Sequence, residues 1–253
     1  MSGFNVIILA GGEKGPLYES TGHVQKALIP IHGTPMVSRV IDAFHKCEDV
    51  ENIVVVGSAD LDHLDSMKHV HKRISTGFTL IQNILHAIAY VKHRLYKSAS
   101  KHNGYVISFC DAVFLTPQII SDTLNGIKNS QADIVLHYVE KHSFKLEQLP
   151  TTRTYIPIDG KLYTGSTIYY VRRFKDLLAI TPKLAKLRKV RKSPEQLLET
   201  IGCSGLDLAG IQSSLSRQLG INVQLCVSPH ARLGMDVDKP LDLELAIQLL
   251  DSI

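Results

Sequence analysis

The sequence lacks the patterns that mark several large classes of protein. No apolar run reaches the roughly 18 residues that a membrane-spanning helix needs, and the N-terminal residues do not form a secretory signal. The cysteines, Cys47, Cys110, Cys203 and Cys226, are scattered and form no CxxC pair. This spacing favours neither a zinc site nor a disulfide framework. We therefore expect a cytoplasmic protein in a reducing environment, with no membrane partner.

Several well-known catalytic and binding motifs are also missing. The sequence has no HExxH zinc motif and no GxSxG nucleophile elbow. Its first glycine loop matches neither GxxxxGK[ST] nor GxGxxG, the signatures of the ATPase P-loop and of the dinucleotide fingerprint. A nucleotide site in this chain would therefore need a different arrangement of residues.

The balance of charge is only mildly basic. The chain has 28 lysines and arginines against 24 aspartates and glutamates, which gives a formal net charge of +4. A solvated surface explains this excess more simply than a nucleic-acid partner does, so we expect none. We interpret the basic run Lys183 to Lys192 as a solvated face as well, and contact with an anionic substrate or a macromolecule is the alternative.

Short apolar runs alternate with amphipathic stretches, and this alternation predicts an α/β fold. The predicted strands are Val6–Leu9, Ile53–Val56, Tyr105–Phe109, Ile134–Val139, Thr154–Ile158, Thr167–Val171 and Val223–Val227. The predicted helices are Val37–Phe44, Leu80–Tyr96, Pro117–Ile127, Phe174–Ile180, Ser193–Ile201, Leu206–Leu219 and Pro240–Leu250. Since strand and helix alternate in the first half, its strands are expected to be parallel.

The second half of the pattern differs from the first. Three strand candidates follow Ala132 with little helix between them, and Asp159-Gly160 is typical of a hairpin turn. We therefore predict a Rossmann-like, mostly parallel sheet flanked by helices, with a small antiparallel β extension. Because no Gly/Ser-rich linker interrupts the 253 residues, we interpret residues 1–253 as a single domain.

The stretch Asn5 to Gly33 contains a candidate phosphate site. Its apolar run leads into Gly11-Gly12, and such a loop emerges at the carboxyl edge of a parallel sheet, where ligands bind. Glycines there let backbone amides approach an anion, since no Cβ intervenes. Lys14 and Lys26 would add positive charge. We predict that this loop holds the phosphates of a nucleotide.

Carboxylates follow two other segments. Asp111 comes directly after a predicted strand, where it is a candidate ligand for Mg²⁺ or a cap of the next turn. Asp236 and Asp238 are two residues apart, so in an extended segment their side chains point the same way and can share one ion. The alternative for Asp238 is the N-cap of a helix that starts at Pro240.

The order of these motifs resembles the nucleotidyltransferases of the MobA-like and sugar-phosphate type. The resemblance covers most of the chain. It is carried by Leu9-Ala10-Gly11-Gly12, by Lys26 to Ile31 with Gly33 to Met36, by Asp111, and by Asp236 to Leu243. It implies the sheet of the nucleotide-diphospho-sugar transferase type. It also implies an enzyme that transfers an NMP from an NTP to a phosphorylated small-molecule acceptor and releases pyrophosphate.

The resemblance also implies roles for individual residues. Lys26 matches the lysine that neutralises phosphate charge during catalysis, and Asp111, Asp236 and Asp238 match the ligands of Mg²⁺. Lys14, the nearby cation of the first loop, is a second catalytic candidate. The residues that match nucleotide-binding or acceptor-side positions are Leu9, Ala10, Gly11, Gly12, Gly15, Gly77, Asn83 and Gly165.

The sequence departs from the family pattern in ways that leave alternatives open. The arginine that usually follows in the first loop is absent, and Lys14 is the nearby cation. Val113 stands where a proline is common, and Ser166-Thr167 replace a glycine and an asparagine. An inactive nucleotide-binding relative is one alternative. A glycosyltransferase that uses Asp236 and Asp238 as a metal-binding DxD is another. The NTP base, the acceptor and the oligomeric state stay open, with a homodimer as one assembly.

Overall fold

The computed structural model describes residues 3–12, 15–77, 79–95, 103–150, 153–178, 180–181 and 193–251. The chain divides into two compact units, unit 1 with Met1–Lys128 and Met235–Ile253, and unit 2 with Asn129–Gly234. That the two units act together as a single domain stays a prediction. Among the described residues, no helix has both the length and the apolar character that a membrane span requires.

The bounds of the elements agree with most of the predicted ones. The strands are β1 Phe4–Leu9, β2 Pro30–Ile31, β3 Thr34–Pro35, β4 Val50–Val56, β5 Lys72–Ile74, β6 Tyr105–Phe109, β7 Ile134–Glu140, β8 Ile156–Ile158, β9 Lys161–Val171 and β10 Val223–Ser228. The helices are α1 Pro16–Thr21, α2 Met36–His45, α3 Leu80–Tyr90, α4 Pro117–Lys128, α5 Lys141–Leu146, α6 174–178, α7 Pro194–Thr200, α8 Leu208–Leu219 and α9 Pro240–Leu249.

Unit 1 is built on a parallel sheet with the strand order β6, β1, β4, β5. Every residue of β1 is buried, as expected for a strand that is covered on both faces. The register places Leu9 opposite Val56 on one side and Phe109 on the other. The carboxyl ends of β1, β4 and β6 therefore lie together at one edge of this sheet.

Unit 2 carries the mixed part of the fold. In it, β10 is parallel to β7, whereas β9 is antiparallel to both β7 and β8. The hairpin between β8 and β9 turns at Asp159 and Gly160, whose φ angles are 48° and 72°, the left-handed values that a two-residue turn of this kind requires. The prediction of an α/β fold with a mostly parallel sheet and an antiparallel extension is confirmed.

The predicted bounds were wrong at two places where the local pattern was ambiguous. The helix expected to reach Tyr96 ends as an α-helix at Tyr90 and continues as a π-turn over Val91–Leu95, while Tyr96 lies outside the described residues. Strand β9 begins at Lys161 and not at Thr167. The basic run Lys183 to Lys192 also lies outside the described residues.

Strand β9 contains a bulge beside β7. Leu136 pairs with Tyr169 and Tyr138 pairs with Gly165, so His137 alone faces three residues of β9. The Ser166 hydroxyl closes the bulge by donating a hydrogen bond of 2.7 Å to the carbonyl oxygen of Ile168. Gly165, which the sequence matched to a nucleotide-binding or acceptor-side position, thus lies in the bulged part of a strand.

His137 is buried at this bulge. Its side chain is 6% exposed, and its Nδ1 atom has no hydrogen-bond partner within the part of the chain that the structure describes. Because burial penalises the charged imidazolium, the pKa of His137 falls from 6.5 to about 4. The folded chain therefore keeps this ring neutral where an unfolded chain would protonate it.

We expect His137 to make the stability of the protein depend on pH. Between pH 6.5 and about 4, the unfolded chain binds a proton that the folded chain does not, so stability falls as the pH falls through this window. The contribution approaches about 1.4 kcal/mol per pH unit. Urea unfolding of the wild type and of His137→Leu at several pH values should give a shallower slope for the variant.

The matched control for this prediction is His63→Leu, which removes an exposed histidine. Its slope should equal that of the wild type. Equal slopes for wild type and His137→Leu would show that His137 does not resist protonation in the folded state.

Candidate active site

The edge of the unit 1 sheet brings three loops together. The Ala10 N–H donates to the carbonyl oxygen of Val56 over 2.7 Å, and the Cys110 N–H donates to that of Leu9 over 3.0 Å. These hydrogen bonds extend the pairing of β1 with β4 and of β1 with β6 by one residue beyond the ends of the strands. As a result, the loop of Gly11 and Gly12 leaves the sheet beside the turn that contains Asp111.

Gly11 is constrained by a close neighbour. A Cβ placed on Gly11 would lie 2.0 Å from Cγ2 of Thr76 and 3.9 Å from Nδ2 of Asn83. A side chain at this position would therefore overlap the segment that leads to α3. Glycine fits here because the Thr76 side chain packs closely against it, not because of a left-handed φ angle.

Asn83 is held in place by the loop before its helix. Its Oδ1 atom accepts a 2.6 Å hydrogen bond from the Gly77 N–H, and its side chain is buried in unit 1. Thr79 begins α3 through a capping box with Gln82. The structure thus places Asn83 beside Gly11 and joins it to Gly77, while the role of Gly77 and Asn83 in nucleotide binding stays a prediction.

Lys26 forms ion pairs with two carboxylates of this site. It begins a short 3₁₀ turn, Lys26–Leu28, and its Nζ atom lies 2.5 Å from Oδ2 of Asp111 and 2.5 Å from Oδ1 of Asp238. Burial alone would lower the pKa of Lys26, but the charges and hydrogen bonds of the two carboxylates outweigh it, so that pKa is raised. Lys26 is thus held as an ammonium ion.

The carboxylates of Asp111, Asp236 and Asp238 form one cluster, named the Asp triad below. One oxygen from each lies within 4.8 Å of the others. The Val237 N–H donates to the carbonyl oxygen of Asp111 over 3.1 Å, which fixes the segment before α9 against the turn after β6. Met235 and Val237 are buried, so the residues between and after them, Asp236 and Asp238, lie on the more exposed side.

The alternative interpretation of Asp238, as the N-cap of the last helix, is wrong. The N-cap residue of α9 is Lys239. Asp242 accepts hydrogen bonds from the N–H groups of Asp238 and Lys239, over 3.1 and 2.9 Å. The Asp238 carboxylate contacts Lys26 instead, and the Asp111 carboxylate does the same.

Sequence reasoning missed a polar clamp beside Lys26. The amide of Gln25 donates to the carboxylate of Asp60 and accepts a 2.9 Å hydrogen bond from the Ser58 hydroxyl. These contacts join the turn before Lys26 to the loop after β4. The partners are more than 30 residues apart in sequence, and no local pattern signals their meeting.

A cavity of about 200 Å³ opens beside this cluster in unit 1. Its wall includes Gly15, Lys26 and Asp238, together with two residues that the sequence did not single out, Tyr18 and His23. The remaining lining residues are Pro16, Leu17, Val24 and Ile29. The cavity therefore combines charged groups at one end with apolar side chains.

Most of the predicted site residues lie together in unit 1. Leu9, Ala10 and Gly11 are continuous with the sheet edge, and a Cβ on Gly12 would lie 3.8 Å from Cβ of Lys26. Lys14 lies outside the described residues. Gly165 belongs to unit 2, in the bulged part of β9.

Residues 6–199 match the family of the MobA-like NTP transferase domain. The chain belongs to this family. The matched region contains the Gly11 loop, Lys26 and Asp111, whereas Asp236 and Asp238 follow it. None of the curated proteins compared with the chain matches it significantly.

Solved structures of similar fold include other transferases. A hypothetical transferase from Thermus thermophilus has a TM-score of 0.76 and 24% identity, with 96% of this chain and 100% of that chain covered. A CMP:2-keto-3-deoxy-manno-octonic acid synthetase complexed with CTP has a TM-score of 0.61 and 17% identity, and 98% of each chain is covered.

A third neighbour is the 4-diphosphocytidyl-2C-methyl-D-erythritol synthase from Anaerococcus prevotii. Its TM-score is 0.59 at 12% identity, with 98% of this chain and 95% of that chain covered. Such low identities establish the fold alone. The assignment to an NTP transferase domain rests on the family match.

We expect Gly11→Ala to displace the segment of Thr76 and Gly77. The added Cβ would overlap Cγ2 of Thr76, which must move because the two atoms would lie 2.0 Å apart. Since Thr76 is exposed and can shift, the loss of stability should be small, about 1 kcal/mol. The free energy of nucleotide binding should change by more than the free energy of unfolding. Titration with each NTP measures the first quantity, and thermal unfolding measures the second.

The control is the double variant Gly11→Ala/Thr76→Ser, which removes the methyl group that causes the overlap. It should recover part of the lost nucleotide affinity. A double variant no better than Gly11→Ala would contradict the steric origin of the effect.

Proposed function

We propose that this chain is a Mg²⁺-dependent nucleotidyltransferase that transfers an NMP from an NTP to a phosphorylated small-molecule acceptor and releases pyrophosphate. The observation that carries the proposal is the meeting of Lys26 and the Asp triad at the sheet edge where the Gly11 loop emerges. Family membership supports the same class of reaction.

The Asp triad suits a hard divalent cation. All its donor atoms are carboxylate oxygens within 4.8 Å of one another, and oxygen ligands are those that Mg²⁺ prefers. Asp111 and Asp236 are partly buried, whereas Asp238 is exposed, so the cluster is accessible from one side. When bound there, the ion would supply charge stabilisation for the phosphates of the NTP.

The residues of the chain would act by positioning and by charge. An oxygen of the acceptor phosphate attacks the α-phosphorus of the NTP in line, and the bond from that phosphorus to the bridging oxygen of the leaving pyrophosphate breaks. This chemistry needs no protein nucleophile. The amides of the Gly11 loop would hold the leaving phosphates, and Lys26 would neutralise the phosphoryl group in transfer.

The absence of the loop arginine removes one positive charge that would stabilise the leaving pyrophosphate. Lys14 is proposed to take over part of that role, together with the backbone amides. His23 faces the same cavity as Lys26 and Gly15 and is a further donor on this side of the site. If these groups do not suffice, the chain would bind a nucleotide without transferring it.

A substrate screen tests the proposal directly. The protein is incubated with each NTP, Mg²⁺ and a panel of phosphorylated sugars and alcohols, and pyrophosphate release is measured with an enzyme-coupled assay. We expect release that requires both the NTP and one acceptor class. NTP binding without release across a wide panel would favour an inactive relative. Hydrolysis of a nucleotide sugar without NTP consumption would favour the glycosyltransferase alternative.

We expect Asp111→Asn and Lys26→Met to lower turnover by a factor of about 100 or more, by analogy with other preorganised electrostatic sites. Both side chains lie at the edge of the cleft, so the free energy of unfolding should change by no more than about 1 to 2 kcal/mol. Steady-state rates and chemical unfolding measure the two quantities separately.

Asp65→Asn serves as the matched control. It neutralises an exposed carboxylate of unit 1 that pairs with Lys68 and does not belong to the Asp triad. Its turnover should stay within about twofold of the wild type, as expected for a surface change. A severe loss of stability in either site variant would instead identify a structural residue.

A further inference from the structure

The Lys26 ammonium group occupies the position in the Asp triad that a divalent cation would take. Its Nζ atom touches one oxygen of Asp111 and one of Asp238, each at 2.5 Å, and these carboxylates are the ones that, with Asp236, lie within 4.8 Å of one another. Two cations cannot both sit between the same oxygens, because they would repel each other at such short range. Lys26 and a divalent cation therefore compete for these carboxylates.

We propose that Lys26 is the resident counter-ion of the Asp triad and that it leaves these carboxylates when a divalent cation binds them, which makes its charge available to the nucleotide phosphate. The inference builds on the proposed function, since that function supplies the reason for a cation at the triad. It adds that Lys26 has two positions, a resting one and a working one.

The surroundings of Lys26 fit a movement of the side chain alone. The preceding residue, Gln25, is tied to Ser58 and Asp60, and the following residues, Ala27 and Ile29, are buried. The backbone at Lys26 is thus held on one side by the loop after β4 and on the other by the burial of Ala27 and Ile29. Its long side chain can still swing, because it is 20% exposed and the cavity beside it is open to Asp238.

The exposed fractions also define the side from which a cation would enter. The Asp238 side chain is 61% exposed, whereas that of Asp111 is 15% exposed. The contact of Lys26 with Asp238 therefore lies in a more polar environment and is the weaker of the two. Exchange would start at Asp238.

The direct test is the affinity of the protein for Mn²⁺ alone, measured by electron paramagnetic resonance without any nucleotide. If Lys26 competes for the triad, its removal exposes a better cation site. We expect Lys26→Met, and Lys26→Gln as a second variant, to bind Mn²⁺ about tenfold or more tightly than the wild type. Lys26→Arg, which keeps the charge, should remain close to the wild type.

Two controls separate competition from a general effect of charge. Lys128→Met removes a lysine of unit 1 that pairs with Asp49, outside the triad, and should change Mn²⁺ affinity by less than about twofold. Lys26→Met/Asp111→Asn should lose the gain, because the tighter site depends on the triad. Thermal unfolding checks that each variant is folded.

The outcomes are distinct from those of the proposed function. Equal or weaker Mn²⁺ binding by folded Lys26→Met and Lys26→Gln would overturn the inference, and so would an equal gain in Lys128→Met. The substrate screen judges the transfer reaction independently. A wild type that releases pyrophosphate while the variants show no gain would refute only the exchange of cations, whereas a gain without any pyrophosphate release would refute only the transfer reaction.

Discussion

Repulsion among the carboxylates of the Asp triad is the constraint on which the site depends. Three carboxylate oxygens lie within 4.8 Å of one another, and a neighbouring cation offsets their mutual repulsion. Lys26 provides this cation although it is 85 residues from Asp111 and 212 residues from Asp238 in sequence. The first loop, the turn after β6 and the segment before α9 are thereby held at one place.

The stability of unit 1 does not come from the contacts of Lys26 with the Asp triad. Its apolar strands and the buried face of α2 supply the hydrophobic burial that dominates folding, whereas a partly exposed ion pair contributes little. The close approach of three carboxylates works against the folded state. The fold nevertheless fixes them together through the backbone bond from Val237 to Asp111. A chemical role accounts for this arrangement better than a structural one.

Local patterns predicted the parts of the site that depend on neighbours in sequence. The apolar strands β1 and β6 end just before Gly11 and Asp111, so both residues could be placed at the sheet edge from the sequence. The clamp of Gln25 by Asp60 could not, because tertiary packing alone decides that contact. Gly165 fell outside the predicted strand Thr167–Val171, since only pairing with β7 shows that the strand continues through it with a bulge.

The charge of the cluster explains how a site without the loop arginine can still favour a nucleotide complexed with a divalent cation. Three carboxylates and one ammonium give the cluster a formal net charge of −2, which repels a bare triphosphate. A divalent cation bound to the same oxygens would cancel that charge and release Lys26 toward the phosphates. Cation and nucleotide would then each strengthen the binding of the other, by reciprocity of coupled equilibria. Lys26 would then supply, beside Lys14, part of the positive charge that the missing arginine would have given.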